Sequence, residues 1–145
     1  MEQIQIFNLF PAPFLKNRKG LKRFLSQQLK HNGYHHYRVH VIFCDDEYLL
    51  AINRQHLQHD YYTDIITFDL TDPSNQSNLE GELYISIERV RDNAKTTNQL
   101  QQTELLRVIF HGFLHLLGYK DKSPKDISEM RAKENEWIEQ YITLH

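Results

Sequence analysis

The sequence predicts an α+β fold in which a sheet is covered by helices mainly on one side. Two observations predict it. Segments with strand and helix periodicity follow one another in the order strand, helix, strand, helix, two strands and three helices. One of the last helices is apolar nearly all round, so we expect it to be buried at the centre. The 145 residues, 40% of them apolar, suffice for one compact domain spanning 1–145.

Two strands, each followed by a helix, are predicted for the first part of the chain. Ile4 and Ile6 alternate with polar residues before Pro11, which is typical of a strand closed by proline. A helix follows and breaks at Asn32-Gly33; its apolar residues at helical spacing are Leu21, Phe24, Leu25 and Leu29. The second strand has the clearest alternation, at Tyr37, Val39, Val41 and Phe43. The helix after it is capped by Asp45 or Asp46.

Two further strands and three helices complete the chain. Residues 66–68 and 82–86 are predicted as strands, separated by a loop, TDPSNQSNLEG, of strong turn composition. A polar helix follows from about residue 88 to 97, and the very apolar helix runs from about Thr103 to Leu117, where Gly118 is placed to stop it. The last helix starts at Ser123-Pro124 and has a periodic face formed by Ile127, Met130, Glu134, Trp137, Ile138 and Tyr141.

Membrane and secreted proteins are not favoured by this sequence. Residues 1–14 lack the basic start and the long apolar run of a signal peptide, and no segment approaches the roughly 20 apolar residues that span a bilayer. The single cysteine, Cys44, cannot form an intramolecular disulfide, and we interpret it as a small core residue. We therefore expect a cytoplasmic protein that does not bind membranes.

Two histidines inside the apolar helix are the strongest functional signal. His111 and His115 are one helical turn apart, so their rings project from the same face. Buried imidazoles need hydrogen-bond or metal partners, and one shared metal satisfies both. The alternative is a pair of core histidines bonded to backbone or tyrosine. Asp121, which follows the turn at Gly118, is the first candidate for a third ligand, and two histidines with a carboxylate form an accepted zinc site that also suits iron or manganese.

Gly112 bears on the class of metal enzyme. A zinc peptidase of the HExxH type has its glutamate base at this position, so the sequence lacks the residue which that mechanism requires. A glycine in mid-helix costs about 1 kcal/mol relative to alanine. Close packing against a neighbouring element and room for a bulky substrate are the two explanations.

Three segments resemble the YbeY family, in the family's order. HGFLHLLGYKD resembles its signature of histidine-glycine, two residues, histidine, Gly-Tyr and a third metal ligand. YYTDIITFDL resembles the family's Pro-Thr-Asp-Val-Leu-Ser-Phe segment, and GELYIS resembles its Gly-Asp-Ile-x-Ile-Ser strand. Asp46 and Asn53 extend the match, which runs from about residue 45 to 121.

The resemblance implies a fold, an activity and partners. The fold would be α+β, with a mixed four-stranded sheet and a central, buried, metal-binding helix. The activity would be that of a zinc-dependent endoribonuclease that acts on single strands, matures the 3′ end of 16S ribosomal RNA and takes part in ribosome quality control. Its partners would be ribosomal RNA and the small ribosomal subunit.

The sequence departs from the family at two positions. The usual third histidine falls on Asp121, which keeps a ligand but makes other divalent metals alternatives to one zinc ion. The family's arginine before the Thr-Asp motif falls on Leu57, although an arginine is the natural partner for charge that develops on phosphorus. The candidate substitutes are Arg54, Lys120, Lys122 and Arg38, each of which is otherwise an ordinary solvated residue. The nucleophile, a metal-activated water or the 2′-hydroxyl of the RNA, stays open.

RNA binding should also be visible in the charge distribution. Residues 3–44 contain seven basic side chains and no acidic one, so residues 1–44 sum to +6 and the rest to −8. The predicted RNA-binding residues are Lys16, Arg18, Lys19, Lys22, Arg23 and Arg38. A solvated surface is the alternative. We expect Tyr61 and Tyr62 to stack on unpaired bases or, for one of them, to pack in the core, and Thr63 and Asp64 to fix the loop near the metal.

Three other functions compete with the nuclease. A non-catalytic factor for small-subunit assembly, with the metal as a structural clip, is favoured by Leu57. Another metallohydrolase, such as a peptidase or an esterase, is disfavoured by Gly112 and by the basic N-terminal third. An iron oxygenase also uses two histidines and a carboxylate, but no other residue pattern supports it.

Overall fold

A computed structural model describes residues 1–75 and 77–144 and confirms the α+β prediction. The strands are β1 (Glu2–Asn8), β2 (His36–Cys44), β3 (Ile65–Asp69) and β4 (Asn78–Ser86). The helices are α1 (Arg18–His31), α2 (Asp46–Leu57), α3 (Ile87–Thr96), α4 (Gln101–Leu116) and α5 (Pro124–Leu144). The sheet order is β1-β2-β4-β3; β1, β2 and β4 are parallel and β3 is antiparallel to β4, so the sheet is mixed as expected.

The helices lie mainly on one face of this sheet. Val39 and Val41 of β2 point into the main core together with residues of α1, α3, α4 and α5, whereas Cys44 points to the other face, where Leu49 of α2 covers it. Four aromatic rings join α1, α4 and α5: Phe24, Phe110, Trp137 and Tyr141. The very apolar helix, α4, is therefore central, and Cys44 is a core residue as the sequence indicated.

Several element boundaries differ from the predicted ones. β4 begins at Asn78 rather than Glu82, because its parallel pairing with β2 already starts at His36 and Asn78. Residues 78–81, whose composition is typical of a turn, therefore belong to the strand. Asp45 is the cap of α2, since its side chain accepts a hydrogen bond from the Tyr48 amide at 2.8 Å. Ile127 is 51% exposed, because the buried face of α5 begins only at Met130.

The end of α4 determines where the chain goes next. Gly118 has a φ of 103°, and the Tyr119 amide donates to the Leu114 carbonyl at 3.0 Å, as in a Schellman motif. Residues after Gly118 therefore fold back over the last turn of the helix. Within residues 1–75 and 77–144, no helix has both the length and the apolar character needed to cross a bilayer.

Candidate metal centre

Close packing of α4 on the sheet fixes the position of its histidines. A Cβ atom on Gly112 would lie 2.4 Å from Cδ2 of Leu83 on β4 and 2.9 Å from Cδ1 of Ile65 on β3. Real Cβ atoms do not approach other atoms so closely, so the backbone of α4 is as near to the sheet as only glycine allows. Of the two explanations for Gly112, the packing one is confirmed, and the space beside it holds Leu83 rather than substrate.

His111 and His115 lie side by side with their rings nearly parallel. The ring centroids are 6.2 Å apart and the planes differ by 16°. Nδ1 of His115 donates to the Tyr119 carbonyl at 3.0 Å, because a carbonyl can only accept. Nδ1 of His111 is 2.7 Å from Oε2 of Glu134, whose carboxylate likewise accepts. Both histidines thus use Nδ1 for hydrogen bonds to the protein, which makes Nε2 the nitrogen suited to a metal.

The Glu134 carboxylate is the main anchor of His111. Glu134 is buried and also accepts from the Arg107 guanidinium at 3.2 Å, while Arg131 lies 3.8 Å away. The hydrogen bond from His111 to Glu134 is the largest cause of the raised pKa of His111. The sequence places Glu134 on the buried face of α5, but its link to His111 escaped prediction. A carboxylate among apolar positions was the available signal, since buried charges need partners.

Asp121 completes a set of donors at the end of α4. Its Oδ2 atom is 3.3 Å from Nε2 of His111, as the turn at Gly118 predicts. Two ligands that each lie about 2.0–2.2 Å from one tetrahedral zinc ion are themselves roughly 3.3 Å apart. The spacing of this pair and the chemistry of the donors therefore fit a divalent cation. Across the described parts of the chain, no three His, Cys, Asp or Glu side chains are already gathered as a metal-binding group.

Two open clefts meet at these donors. The tyrosine cleft, about 590 Å³, is lined by Asn53, Leu57, His59, Tyr61, Thr63, Asp64, Ile65, Ile66, Thr67, His111, His115, Asp121 and Lys122. The arginine cleft, about 540 Å³, is lined by Asp64, Ile65, Asn93, Thr96, Thr97, Gln99, Glu104, Arg107, Val108, His111, Asp121, Arg131 and Glu134. Four residues line both, so the two clefts adjoin at His111 and Asp121.

Asp64 occupies the junction of the two clefts. Its backbone carbonyl accepts from the Ser86 amide at 3.0 Å, which ties the loop before β3 to the end of β4. Burial raises the pKa of its carboxyl, although the nearby charge of His111 lowers it. The backbone bond agrees with the predicted role in fixing the loop. The Asp64 side chain also lines both clefts.

The four proposed charge stabilisers are placed very differently. Lys122 lines the tyrosine cleft, and Lys120 is exposed outside the lining of both clefts. Arg54 is exposed and paired with Asp60. Arg38 alternates with core-facing Val39, so it points to the sheet face opposite α4, where it pairs with Glu80 at 2.8 Å. Lys122 is therefore the candidate that the fold brings beside the donors. Leu57, at the position of the family arginine, lines the same cleft.

The basic residues of the N-terminal third divide into structural and exposed ones. Arg18 donates to Oδ1 of Asn8 at 2.8 Å and to the Ala12 carbonyl at 3.2 Å, and it lies over the Phe43 ring, so it holds the start of α1 against the sheet. The more accessible ones are Lys16, Lys19 and Arg23, with Lys22 half-buried. RNA binding by this group stays a prediction.

Tyr61 and Tyr62 are both exposed, so core packing of either is wrong. Tyr61 is stacked on His59, with ring centroids 5.1 Å apart and 20° between the planes. Its backbone carbonyl accepts from Nδ2 of buried Asn53 at 2.9 Å, which fixes the loop that carries it. Tyr62 donates to Glu47 at 2.7 Å and lies under Arg89. Tyr61 thus presents a ring to the tyrosine cleft, whereas Tyr62 is used within the protein.

Comparison with known proteins gives a consistent result. A family model described as Endoribonuclease YbeY matches residues 13–142. Proteins named Endoribonuclease YbeY are similar to this chain: that of Cytophaga hutchinsonii is 47% identical over 121 residues, 83% of each chain. That of Flavobacterium johnsoniae is 44% identical over 132 residues, 91% of this chain and 93% of the other. The solution structure of TM1509 from Thermotoga maritima matches with a TM-score of 0.64 and 27% identity over 96% of this chain and 89% of that one. The chain belongs to the endoribonuclease YbeY family.

Proposed function

We propose that this chain is a metal-dependent endoribonuclease that cuts single-stranded RNA during 3′-end maturation of 16S ribosomal RNA and during ribosome quality control. Membership of the family supports the coarser part of this proposal, a nuclease of the hydrolase class. The observation that supports the finer part is the pair of imidazoles, His111 and His115, whose Nδ1 atoms are both engaged and which line one cleft with Asp121, 3.3 Å from Nε2 of His111. The proposed partner is the small ribosomal subunit, which places the protein in the cytoplasm.

The proposed metal ligands are His111, His115 and Asp121. Zinc is the first choice, and the carboxylate also suits other divalent ions. A divalent cation held here would stabilise negative charge on a phosphodiester and lower the pKa of an attacking water. Glu134 orients the His111 ring by accepting a hydrogen bond from its Nδ1–H group, and the Tyr119 carbonyl does the same for His115.

Two further side chains are suited to the reaction. Asp64 lies at the junction of the clefts, and its raised pKa favours uptake of a proton from the attacking hydroxyl or water. Lys122 lines the tyrosine cleft beside the donors and can balance charge on a phosphate oxygen. Both roles require a bound phosphodiester at the junction, within reach of His111 and Asp121.

The tyrosine cleft suits unpaired bases. Tyr61 stacked on His59 offers an aromatic surface, and Leu57 adds apolar contact. Base stacking on aromatic rings requires bases that are not already stacked in a duplex, so this surface favours single strands. The exposed basic residues Lys16, Lys19 and Arg23 would add salt-dependent contacts to the backbone of a long RNA.

The experiment replaces His115, because this ligand is exposed and its loss should not disturb the core. His115→Ala is compared with His35→Ala, an exposed histidine in the loop before β2. Elemental analysis of protein purified without added metal should give one metal per chain for wild type and His35→Ala, and much less for His115→Ala. Only the first two should cut single-stranded RNA. The proposal fails if His115→Ala binds metal and cuts RNA as wild type does.

One observation favours a second function. The tyrosine cleft presents Leu57 where a nuclease of this family would present arginine, which suits a non-catalytic assembly factor whose metal is a structural clip. In that case the metal-loaded wild type would leave single-stranded RNA intact. His115→Ala would then lower the melting temperature of the protein and weaken its binding to the small subunit.

A further inference from the structure

Apart from Glu134 and the residues that it shares with the tyrosine cleft, the arginine cleft has no part in the function proposed so far. It lies between the end of α3, the middle of α4 and the start of α5, on the other side of His111 from the tyrosine cleft. Its lining is rich in hydrogen-bonding side chains, among them Asn93, Thr96 and Thr97. A cleft of this polarity, continuous with the proposed metal pocket, is suited to a polar ligand rather than an apolar one.

An endonuclease needs space for its substrate on both sides of the cut. The RNA chain continues beyond the cleaved phosphate in both directions, so a pocket with one opening would admit only chain ends. The tyrosine cleft gives one path away from His111 and Asp121, and the arginine cleft, which shares both residues, gives the other. A strand that leaves the tyrosine cleft across the donors therefore enters the arginine cleft.

Of the two arginines that line this cleft, Arg131 is the more accessible to a phosphate. Arg107 and Arg131 approach the same Oε1 atom of Glu134, at 3.2 and 3.8 Å. The two guanidinium groups thus share this oxygen, and His111 contacts the other oxygen of Glu134. The Arg107 side chain is only 22% exposed and serves Glu134, whereas the Arg131 side chain is 61% exposed. Asp64, Glu104 and Asp121 also line the cleft and oppose an anion there, although burial raises the pKa of the Asp64 and Glu104 carboxyls.

We propose that the arginine cleft binds the RNA backbone next to the cut and that Arg131 contacts a phosphate there. The inference rests on the proposed function. The Arg131 guanidinium is separated from the donor atom of His111 by the Glu134 carboxylate and the imidazole ring, so it reaches the neighbouring phosphate rather than the cleaved one. Its planar fork suits the non-bridging oxygens of a phosphate.

The test measures binding of a fluorescent single-stranded oligonucleotide by anisotropy, at several salt concentrations and with a chelator present to prevent cleavage. Arg131→Gln is compared with wild type, with Arg131→Lys and with Lys125→Gln. Lys125 is the matched control, since it lies on α5 with its side chain 85% exposed and outside the cleft. Thermal denaturation checks that every variant is folded, which the exposure of both side chains favours.

Arg131→Gln should weaken binding roughly threefold to tenfold at low salt, and the slope of log K against log salt should become shallower by about 0.7, the value for one phosphate on a single strand. Arg131→Lys should keep the slope, and Lys125→Gln should match wild type. The inference is overturned if Arg131→Gln matches wild type, or if both glutamine variants lose the same amount, which indicates diffuse surface attraction.

Failure of this inference can be told apart from failure of the proposed function. Cleavage by the metal-loaded wild type is measured separately, on the same oligonucleotide. If the wild type cleaves but Arg131→Gln binds normally, only the assignment of the cleft is wrong. If no RNA is cleaved, the proposed nuclease is wrong, and the salt slopes still report whether Arg131 touches a backbone phosphate.

Discussion

Replacing Glu134 with glutamine should weaken both the fold and the proposed metal site, by separable amounts. Oε2 of Glu134 accepts from His111 at 2.7 Å and Oε1 accepts from Arg107 at 3.2 Å. A glutamine has the same shape but only one acceptor oxygen, so its NH2 group must face one of the two donors. One charge-assisted hydrogen bond is lost, which is worth about 1.5–3 kcal/mol. The free energy of unfolding without metal should fall by about that amount.

The effect on metal binding follows from the orientation of the His111 ring. A carboxylate that accepts from the distal nitrogen of a ligating histidine typically raises metal affinity 10- to 100-fold. Glu134→Gln should therefore increase the Kd for zinc by a similar factor, equal to about 1.4–2.8 kcal/mol. Urea denaturation in the presence of a chelator gives the stability, and competition with a chromophoric chelator gives the Kd.

Glu136→Gln is the matched control for this experiment. Glu136 is also on α5 but is exposed, where it pairs with Lys133 at 3.2 Å, so its replacement should change stability by less than about 0.5 kcal/mol and leave the Kd unchanged. If Glu134→Gln keeps the wild-type Kd within a factor of two, the orienting role of Glu134 is refuted. An unchanged free energy of unfolding would refute the buried network as a source of stability.

Three further predictions test the packing, the charges and the core thiol. Gly112→Ala should lower the free energy of unfolding, measured in urea, by about 1–2 kcal/mol, since overpacking against Leu83 outweighs the gain in helix propensity. This loss should be smaller in a Leu83→Ala background. A Gly112→Ala variant more stable than wild type would contradict the close packing. Burial raises the pKa of Glu104 above its usual 4.5, so the folded state binds the proton more tightly than the unfolded state, and stability falls as pH rises through the raised pKa. Glu104→Gln should therefore be more stable than wild type at about pH 7 but not below about pH 4. A gain in stability that does not depend on pH would refute this. Burial and the neighbouring carboxylates of Asp45 and Asp46 raise the pKa of Cys44 to about 12. The thiol of the native protein should therefore react with a disulfide reagent only as fast as the protein unfolds. Immediate labelling at about pH 8 would exclude a buried thiol.

The order of elements is predictable from sequence because periodicity reports local structure directly. The alternation at Val39 and Val41 and the helical spacing at Phe24 both correspond to buried faces. The start of β4 at Asn78 was missed, since pairing with β2 overrides a composition that is typical of turns. The order of the strands in the sheet could not be predicted either, because the neighbours of a strand depend on long-range pairing.

The candidate site was likewise predictable only where it depends on residues close together in the sequence. The spacing of His111 and His115 on one helix and the turn at Gly118 are local, and in the structure His111 lies beside both His115 and Asp121. Glu134 contacts His111 from a separate helix, which no spacing within one segment reveals. The pairing of Arg54 with Asp60 and the orientation of Arg38 likewise depend on the three-dimensional fold. Neither arginine lies beside the proposed metal ligands.

The proposed ligands lie on parts of the chain that differ in burial. His111 and His115 are on α4, which is locked against the sheet at Gly112 and can open only when the core does. Asp121 is on an exposed turn with few buried contacts, so it can open locally at a much lower free energy. Metal release should therefore begin with the carboxylate and proceed far faster than global unfolding. For the proposed metal site, the turn after Gly118 would then set the lifetime of the metal-bound state, while α4 would keep the two histidines in place for the next ion.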